Sequence, residues 1–255
     1  MQKHLIQADQ LASQLLLGSR WAPVTNRLSF INAPLEEAAR VWHELNEADV
    51  ENKEDALFTE ATGTLEEQFS RLLPLGGGGK HLFLETKSPD WTAAVSDSAS
   101  GSDLSSLLYF EYAKKRGIRS VIVVEIPHSL DRKSYPEHRG RHGARKLRVT
   151  GARGLGFYIE LVNDGKWAFD RSGHDFDFED TTAYEAKRTT DRFTHDMLVS
   201  YCRNMGLDPF NEDFYVPNGR GILLDFRHHH PDNKTFTLAE ARASNEDRDV
   251  PPVRR

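Results

Sequence analysis

Blocks of apolar and polar residues along the chain predict both helices and strands. The run His81–Thr86 is largely apolar without strict alternation, which is typical of a strand buried on both faces. Residues 103–116 carry leucines and a tyrosine at helical spacing and predict a capped helix. The next run, Ile118–Ile126 (IRSVIVVEI), predicts an interior strand. The stretch is therefore compatible with a crossover unit, in which a helix connects two strands.

The same patterns predict further elements on both sides of this stretch. A helix is expected from Leu35 onward, and the capping pattern Thr64–Glu67 predicts a second one. A turn at Asn163–Gly165 predicts a hairpin, which a third edge strand at His174–Asp180 would extend. Apolar residues at helical spacing predict a long helix over residues 182–205.

These elements together predict an α+β fold, with α/β as the alternative. We expect a mixed β-sheet with helices packed on it, centred on strand 81–86, helix 103–116 and strand 118–126. Residues 1–239 are expected to form a single domain, or else two lobes joined near 127–153. From residue 240 onward the composition is polar and contains Pro251 and Pro252, which predicts a flexible C-terminal tail over 240–255.

Composition and charge narrow the compartment and the class of partner. Hydrophobic residues make up 38% and charged residues 28% of the 255 residues, as in globular proteins. The longest apolar runs are too short to cross a membrane, and polar residues interrupt the N-terminal segment, which argues against a secretory signal. The single cysteine, Cys202, rules out an intramolecular disulfide, so we expect a cytoplasmic protein. The net charge of −6 disfavours a general nucleic-acid binder.

One short motif suggests catalysis. Glu85-Thr86-Lys87, at the end of an apolar strand, resembles the (D/E)xK half of the PD-(D/E)xK nuclease pattern. The resemblance covers about 45 residues. It implies a Mg²⁺ cofactor held by Glu85 and an attacking water positioned by Lys87. The family also needs an acid on a preceding strand, whereas that region here predicts a helix and a glycine run. Asp55 and Glu67 are the available acids, and the metal site is otherwise unknown.

A basic segment suggests binding. Residues 132–153 contain eight lysines and arginines but one acid, Glu137. Clustered guanidinium and ammonium groups bind phosphates, so a phosphate-bearing ligand or nucleic acid is one expected partner. An acidic protein surface is the other, and a solvated loop without a partner is the alternative to both. The residues expected to bind are Arg139, Arg141, Arg145, Lys146 and Arg148.

Other catalytic patterns are incomplete in this chain. No G-x-S-x-G is present, and Cys202 lies beside the core face of a predicted helix, as a structural cysteine does. We therefore expect a non-catalytic cytoplasmic binding protein without a cofactor. Its likeness to bacterial immunity proteins, which neutralise a protein partner, is one of general type. The Mg²⁺-dependent nuclease with Glu85 and Lys87 is the alternative.

Overall fold

The architecture was taken from a computed structural model. It describes residues 11–47, 57–102, 104, 117–130, 140–151, 154–215, 219–226 and 234–248. No helix within these ranges is both long and apolar enough to span a membrane.

An open sheet of nine strands forms the centre of the described structure. Its order is β2-β9-β3-β4-β1-β5-β6-β7-β8, and every neighbouring pair is antiparallel. The strands are β1 (Arg27–Ile31), β2 (Leu57–Ala61), β3 (Lys80–Glu85), β4 (Thr92–Ser96), β5 (Ser120–Ile126), β6 (Ala144–Gly151), β7 (Gly154–Asn163), β8 (Trp167–Gly173) and β9 (Gly221–Asp225).

Four α-helices and several short 3₁₀ turns accompany the sheet in the described ranges. The helices are α1 (Leu35–Glu47), α2 (Leu65–Ser70), α3 (His195–Asn204) and α4 (Leu238–Arg248). The 3₁₀ turns are Leu16–Ser19, Val24–Asn26, Ala183–Glu185, Thr189–Asp191 and Glu212–Phe214.

Alternation along each strand divides the buried side chains between two faces of the sheet. The first face, which includes Leu82, Val123 and Leu147, packs against a large core with residues of α3 and the N-terminal turns. The second face, which includes Phe83 and Ile122, packs against α1. Strands β3, β4 and β5 are buried along nearly their whole length because both faces are covered.

The two strands predicted around residues 81–86 and 118–126 are confirmed as β3 and β5, but the expected mixed sheet is wrong. Strands β4 and β1 lie between them, and the pairing is antiparallel throughout. The α/β alternative and the crossover unit are therefore not supported, and the α+β class stands. A run of apolar residues indicates burial on both faces but not strand direction. Apart from Leu104, the helix predicted over 103–116 lies outside the described residues.

Three predictions in the second half need correction. The long helix expected over 182–205 begins only at His195, after two 3₁₀ turns. Thr194 caps the helix there, because its hydroxyl oxygen accepts a hydrogen bond from the Met197 backbone N–H. Residues 174–180 form turns rather than an edge strand. Residues 240–248 of the expected tail belong to α4, which Thr237 caps and which buries Ala241 fully.

Candidate functional site

The Glu85–Lys87 motif lies at the end of β3, beside the loop that precedes β9. The Glu85 carboxylate accepts a hydrogen bond of 3.2 Å from the backbone N–H of Arg220. The guanidinium of Arg220 in turn pairs with Glu36 at 2.8 Å and with Glu60 at 3.4 Å. Lys87 is exposed. Arg220 thus contacts Glu85 through its backbone and pairs with two other acids through its side chain.

The second acid that the nuclease resemblance requires is not found beside Glu85 in the described part of the chain. Glu67 instead accepts hydrogen bonds from the backbone N–H and the hydroxyl of Thr64, as the N3 residue of the α2 capping box. Asp55 lies outside the described residues. Within those residues no group of three or more histidine, cysteine or acidic side chains could hold a metal ion. The nuclease alternative stays a hypothesis for an activity assay.

The sole cysteine is a core residue, as predicted. Cys202 lies in α3 and is fully buried as a free thiol. Burial raises the pKa of this thiol, because the apolar surroundings disfavour the thiolate.

The residues of the basic segment that are expected to bind do not all lie on the same face of the sheet. Arg139 lies outside the described residues, and Arg141 precedes the strand. Within β6 the side chains alternate, so Arg145 lies on the first face of the sheet, while Lys146 and Arg148 lie on the second. The five predicted residues therefore do not form one site.

Arg145 belongs to a buried ion pair. Its Nε and Nη2 donate hydrogen bonds of 2.6 and 2.9 Å to the two carboxylate oxygens of Glu125, and its Nη1 donates one of 2.7 Å to the carbonyl of Phe193. The Glu125 side chain is only 2% exposed, and Nδ1 of His195 lies 3.3 Å from Oε2. A bidentate pair in this setting fixes the strands and α3 relative to each other.

Arg141, Lys146 and Arg148 come together around a cavity on the second face, which we name the basic cavity. Its volume is about 360 Å³, and Arg27 and His142 complete its set of basic side chains. Hydroxyl and amide groups also line it, and they belong to Ser29, Ser102 and Asn163. No carboxylate lines it among the residues that the structure describes.

The lining of the basic cavity is partly apolar. Ile122, Val124 and Val162 contribute apolar side chains, while the basic groups come from the strands and from the segment before β6. Small-ligand sites commonly combine apolar walls with a few polar groups, at volumes of about 300–1,000 Å³. This cavity has the size and the lining of such a site.

Hydrogen bonds and ion pairs hold the basic side chains in place. Glu160 of β7 pairs with Lys146 at 3.1 Å and also contacts Arg148, so one carboxylate serves two cations. His142 Nδ1 lies 2.7 Å from the Asn163 side-chain oxygen, which orients the imidazole. Because these groups are already ordered, a ligand would lose less conformational entropy of the protein on binding.

Sequence reasoning missed several members of the basic cavity. Arg27 is far away in sequence and becomes a neighbour only because β1 pairs with β5, which pairs with β6. The sequence predicts Asn163 as a turn residue, yet its side chain also positions His142. The segment 140–143 was basic in composition, but composition does not reveal which strand lies opposite.

Comparisons of the chain with protein-family models, with curated proteins and with solved structures find no match.

Proposed function

We propose that this chain is a binding protein whose basic cavity takes up a phosphate-bearing ligand. The observation that carries the proposal is the convergence of Arg27, Arg141, Lys146 and Arg148 on one cavity, where they are joined by hydroxyl and amide groups. Guanidinium groups bind phosphate oxygens bidentately, and an ammonium group adds a compact charge. The cavity volume of about 360 Å³ favours a small phosphate compound over a nucleic-acid strand.

The neighbouring hydroxyl and amide groups support the same ligand class. Ser29, Ser102 and Asn163 can donate hydrogen bonds to the phosphate oxygens that the cations leave unpaired. The apolar lining residues would contact the uncharged part of the ligand. The free, buried thiol of Cys202 fits a cytoplasmic site of action, which is part of this proposal.

Calorimetric titration with pyrophosphate at low salt tests the proposal. Lys146→Ala and Arg148→Ala should each weaken binding about tenfold or more, since a charge-assisted hydrogen bond contributes ~1.5–3 kcal/mol. Glu160→Gln should strengthen binding, because it removes the negative charge that competes for both cations while the glutamine oxygen can still accept hydrogen bonds from them. The matched control is Lys187→Ala, which removes an exposed cation outside the cavity and should leave binding unchanged.

The comparison of Lys146→Ala with Lys187→Ala separates a defined site from general attraction by charge. A surface that attracts anions through net charge alone would respond alike to Lys146→Ala and Lys187→Ala. Equal losses in these two variants, or no binding by the natural sequence, would refute the proposal. Raising the salt concentration should weaken binding, because phosphate contacts are electrostatic.

A protein partner, as for immunity-type proteins, is the second candidate. It is favoured by the edge strand β2, where Leu57 and Phe58 are 66% and 50% exposed. Exposed apolar residues on a sheet edge are typical of surfaces that pair with another protein. Phe58→Lys should abolish co-purification of a partner from the native host, whereas Lys146→Ala should not affect it. Retention of the partner by Phe58→Lys would rule out this edge as the contact.

A further inference from the structure

A second cavity lies on the other face of the same strand ends, and we name it the Trp167 cavity. Its volume is about 590 Å³, and it lies between the ends of β5 to β8 and the turn Thr189–Asp191. Gly143, which lines the basic cavity, packs against Trp167 and His128 of this second cavity, since a Cβ there would lie 2.6 Å from the indole and 2.7 Å from His128 Cβ. The two cavities are thus neighbours that share Ile126 and Ala144 in their walls, while their polar lining residues differ.

The charges in the wall of the Trp167 cavity are balanced. Arg145 carries its bidentate partner Glu125, and Arg188 lies 3.8 Å from Asp191. An ionic ligand would lose its hydration here without meeting a net opposite charge, which disfavours it. A neutral ligand with hydrogen-bonding edges would lose less, so the wall favours a neutral polar compound.

Hydrogen-bonding groups are nevertheless available and held in position. Within the described structure, Glu125 and the Phe193 carbonyl use three of the five N–H groups of Arg145, which leaves two for a ligand. The hydroxyls of Thr189 and Thr190 also line the cavity and can donate or accept. This set matches a molecule that has donors and acceptors side by side.

The apolar part of the wall is aromatic on one side. Trp167 lines the cavity and is partly exposed, whereas Trp21, Trp42 and Trp91 are buried. His128 packs against the indole edge to face at 5.5 Å between centroids, which restrains the ring. A flat indole surface offers stacking to a planar ring of any base type.

We propose that the Trp167 cavity binds the neutral heteroaromatic ring of a nucleoside-class ligand. The ring stacks on Trp167, and its polar edge is bonded by Arg145 and the threonine hydroxyls. This site does not depend on the basic cavity, because none of its proposed contacts involves the cations of that cavity.

Titration of the full chain with adenosine, guanosine, cytidine and uridine, followed by calorimetry, tests the inference. At least one nucleoside should bind saturably and quench the fluorescence of Trp167. Trp167→Leu should weaken that binding about tenfold or more, since stacking on an aromatic side chain is lost. Trp167→Phe should keep most of it, because the planar surface is retained.

Thr189→Val provides a second variant in case Trp167→Leu does not fold, and it should weaken binding through the lost hydroxyl alone. Lys146→Ala should leave nucleoside binding unchanged, which separates this site from the phosphate proposal. The inference is overturned if no nucleoside binds at millimolar concentration, or if neither Trp167→Leu nor Thr189→Val changes the affinity. A loss in Lys146→Ala alone would place the nucleoside in the basic cavity and overturn it too.

Discussion

Protonation of His81 should make the fold sensitive to mild acid. His81 lies in β3 on the second face, with Trp42 at 5.1 Å and Phe226 at 5.7 Å between ring centroids. Its side-chain Nδ1 makes no hydrogen bond in the described structure. Burial in this apolar setting lowers the pKa of His81 to about 3, from an ordinary value of 6.5, because the charged imidazolium is poorly solvated there.

The sign and the size of the effect follow from this shift. His81 takes up a proton near pH 6.5 in the unfolded chain but only near pH 3 in the folded chain. The stability that neutral, buried His81 contributes is therefore fully present above pH 6.5 and is lost as the pH falls toward 3. Each pH unit in this window corresponds to ~1.4 kcal/mol. At pH 5, about 1.5 units below the unfolded value, His81 should therefore lower the free energy of unfolding by about 2 kcal/mol relative to pH 7.5.

Urea denaturation of the natural sequence and of His81→Phe at pH 5 and pH 7.5 measures this contribution. Because phenylalanine cannot take up a proton, the difference in free energy of unfolding between the two proteins should move by about 2 kcal/mol in favour of the variant at pH 5. Comparing the two proteins cancels the acid response of the other ionisable groups. His174→Phe is the matched control, since this histidine is exposed to solvent. Parallel pH profiles for the natural sequence and His81→Phe would refute the reasoning.

Three further outcomes are expected. Glu125→Leu should lower the free energy of unfolding by about 3 kcal/mol or more, because it leaves Arg145 charged and buried, and the double variant with Arg145→Leu should recover part of the loss in urea denaturation. Gly173→Ala should cost about 2–4 kcal/mol, since φ is +104° and a Cβ would lie 2.2 Å from a backbone oxygen, whereas Gly78→Ala, with φ +93° and open space, should cost about 1–2 kcal/mol. Incubation with Mg²⁺ and DNA or RNA should show no cleavage, because the Glu85 carboxylate already accepts a hydrogen bond from the Arg220 backbone N–H. Cleavage by the natural sequence that is lost in Glu85→Gln would establish the nuclease alternative.

Local signals along the chain were sufficient for many elements. The apolar runs of β3 and β5, the capping box of α2 and the hairpin of β7 and β8 all appear in the structure where the patterns predict them. Each depends on contacts within a few residues, or on burial that the residue types themselves require.

Strand order could not be predicted in the same way. Strand β9 inserts between β2 and β3, so its partners are separated from it by more than 130 residues. No pattern within one strand specifies such a neighbour, because antiparallel pairing satisfies the same backbone groups with any partner of suitable length. For the same reason the contribution of Arg27 to the basic cavity could not be predicted.

The basic segment contained more information than its composition suggested. Once 144–151 is recognised as a strand, the period of two places Arg145 opposite to Lys146 and Arg148. Glu125, the acid at the end of β5, then pairs in register with Arg145, and the two fall on the same face of the sheet. The basic residues of one segment can therefore have two roles, a structural ion pair on one face of the sheet and a proposed ligand site on the other. Charge reversal at Arg145 would test folding, whereas charge removal at Lys146 tests binding.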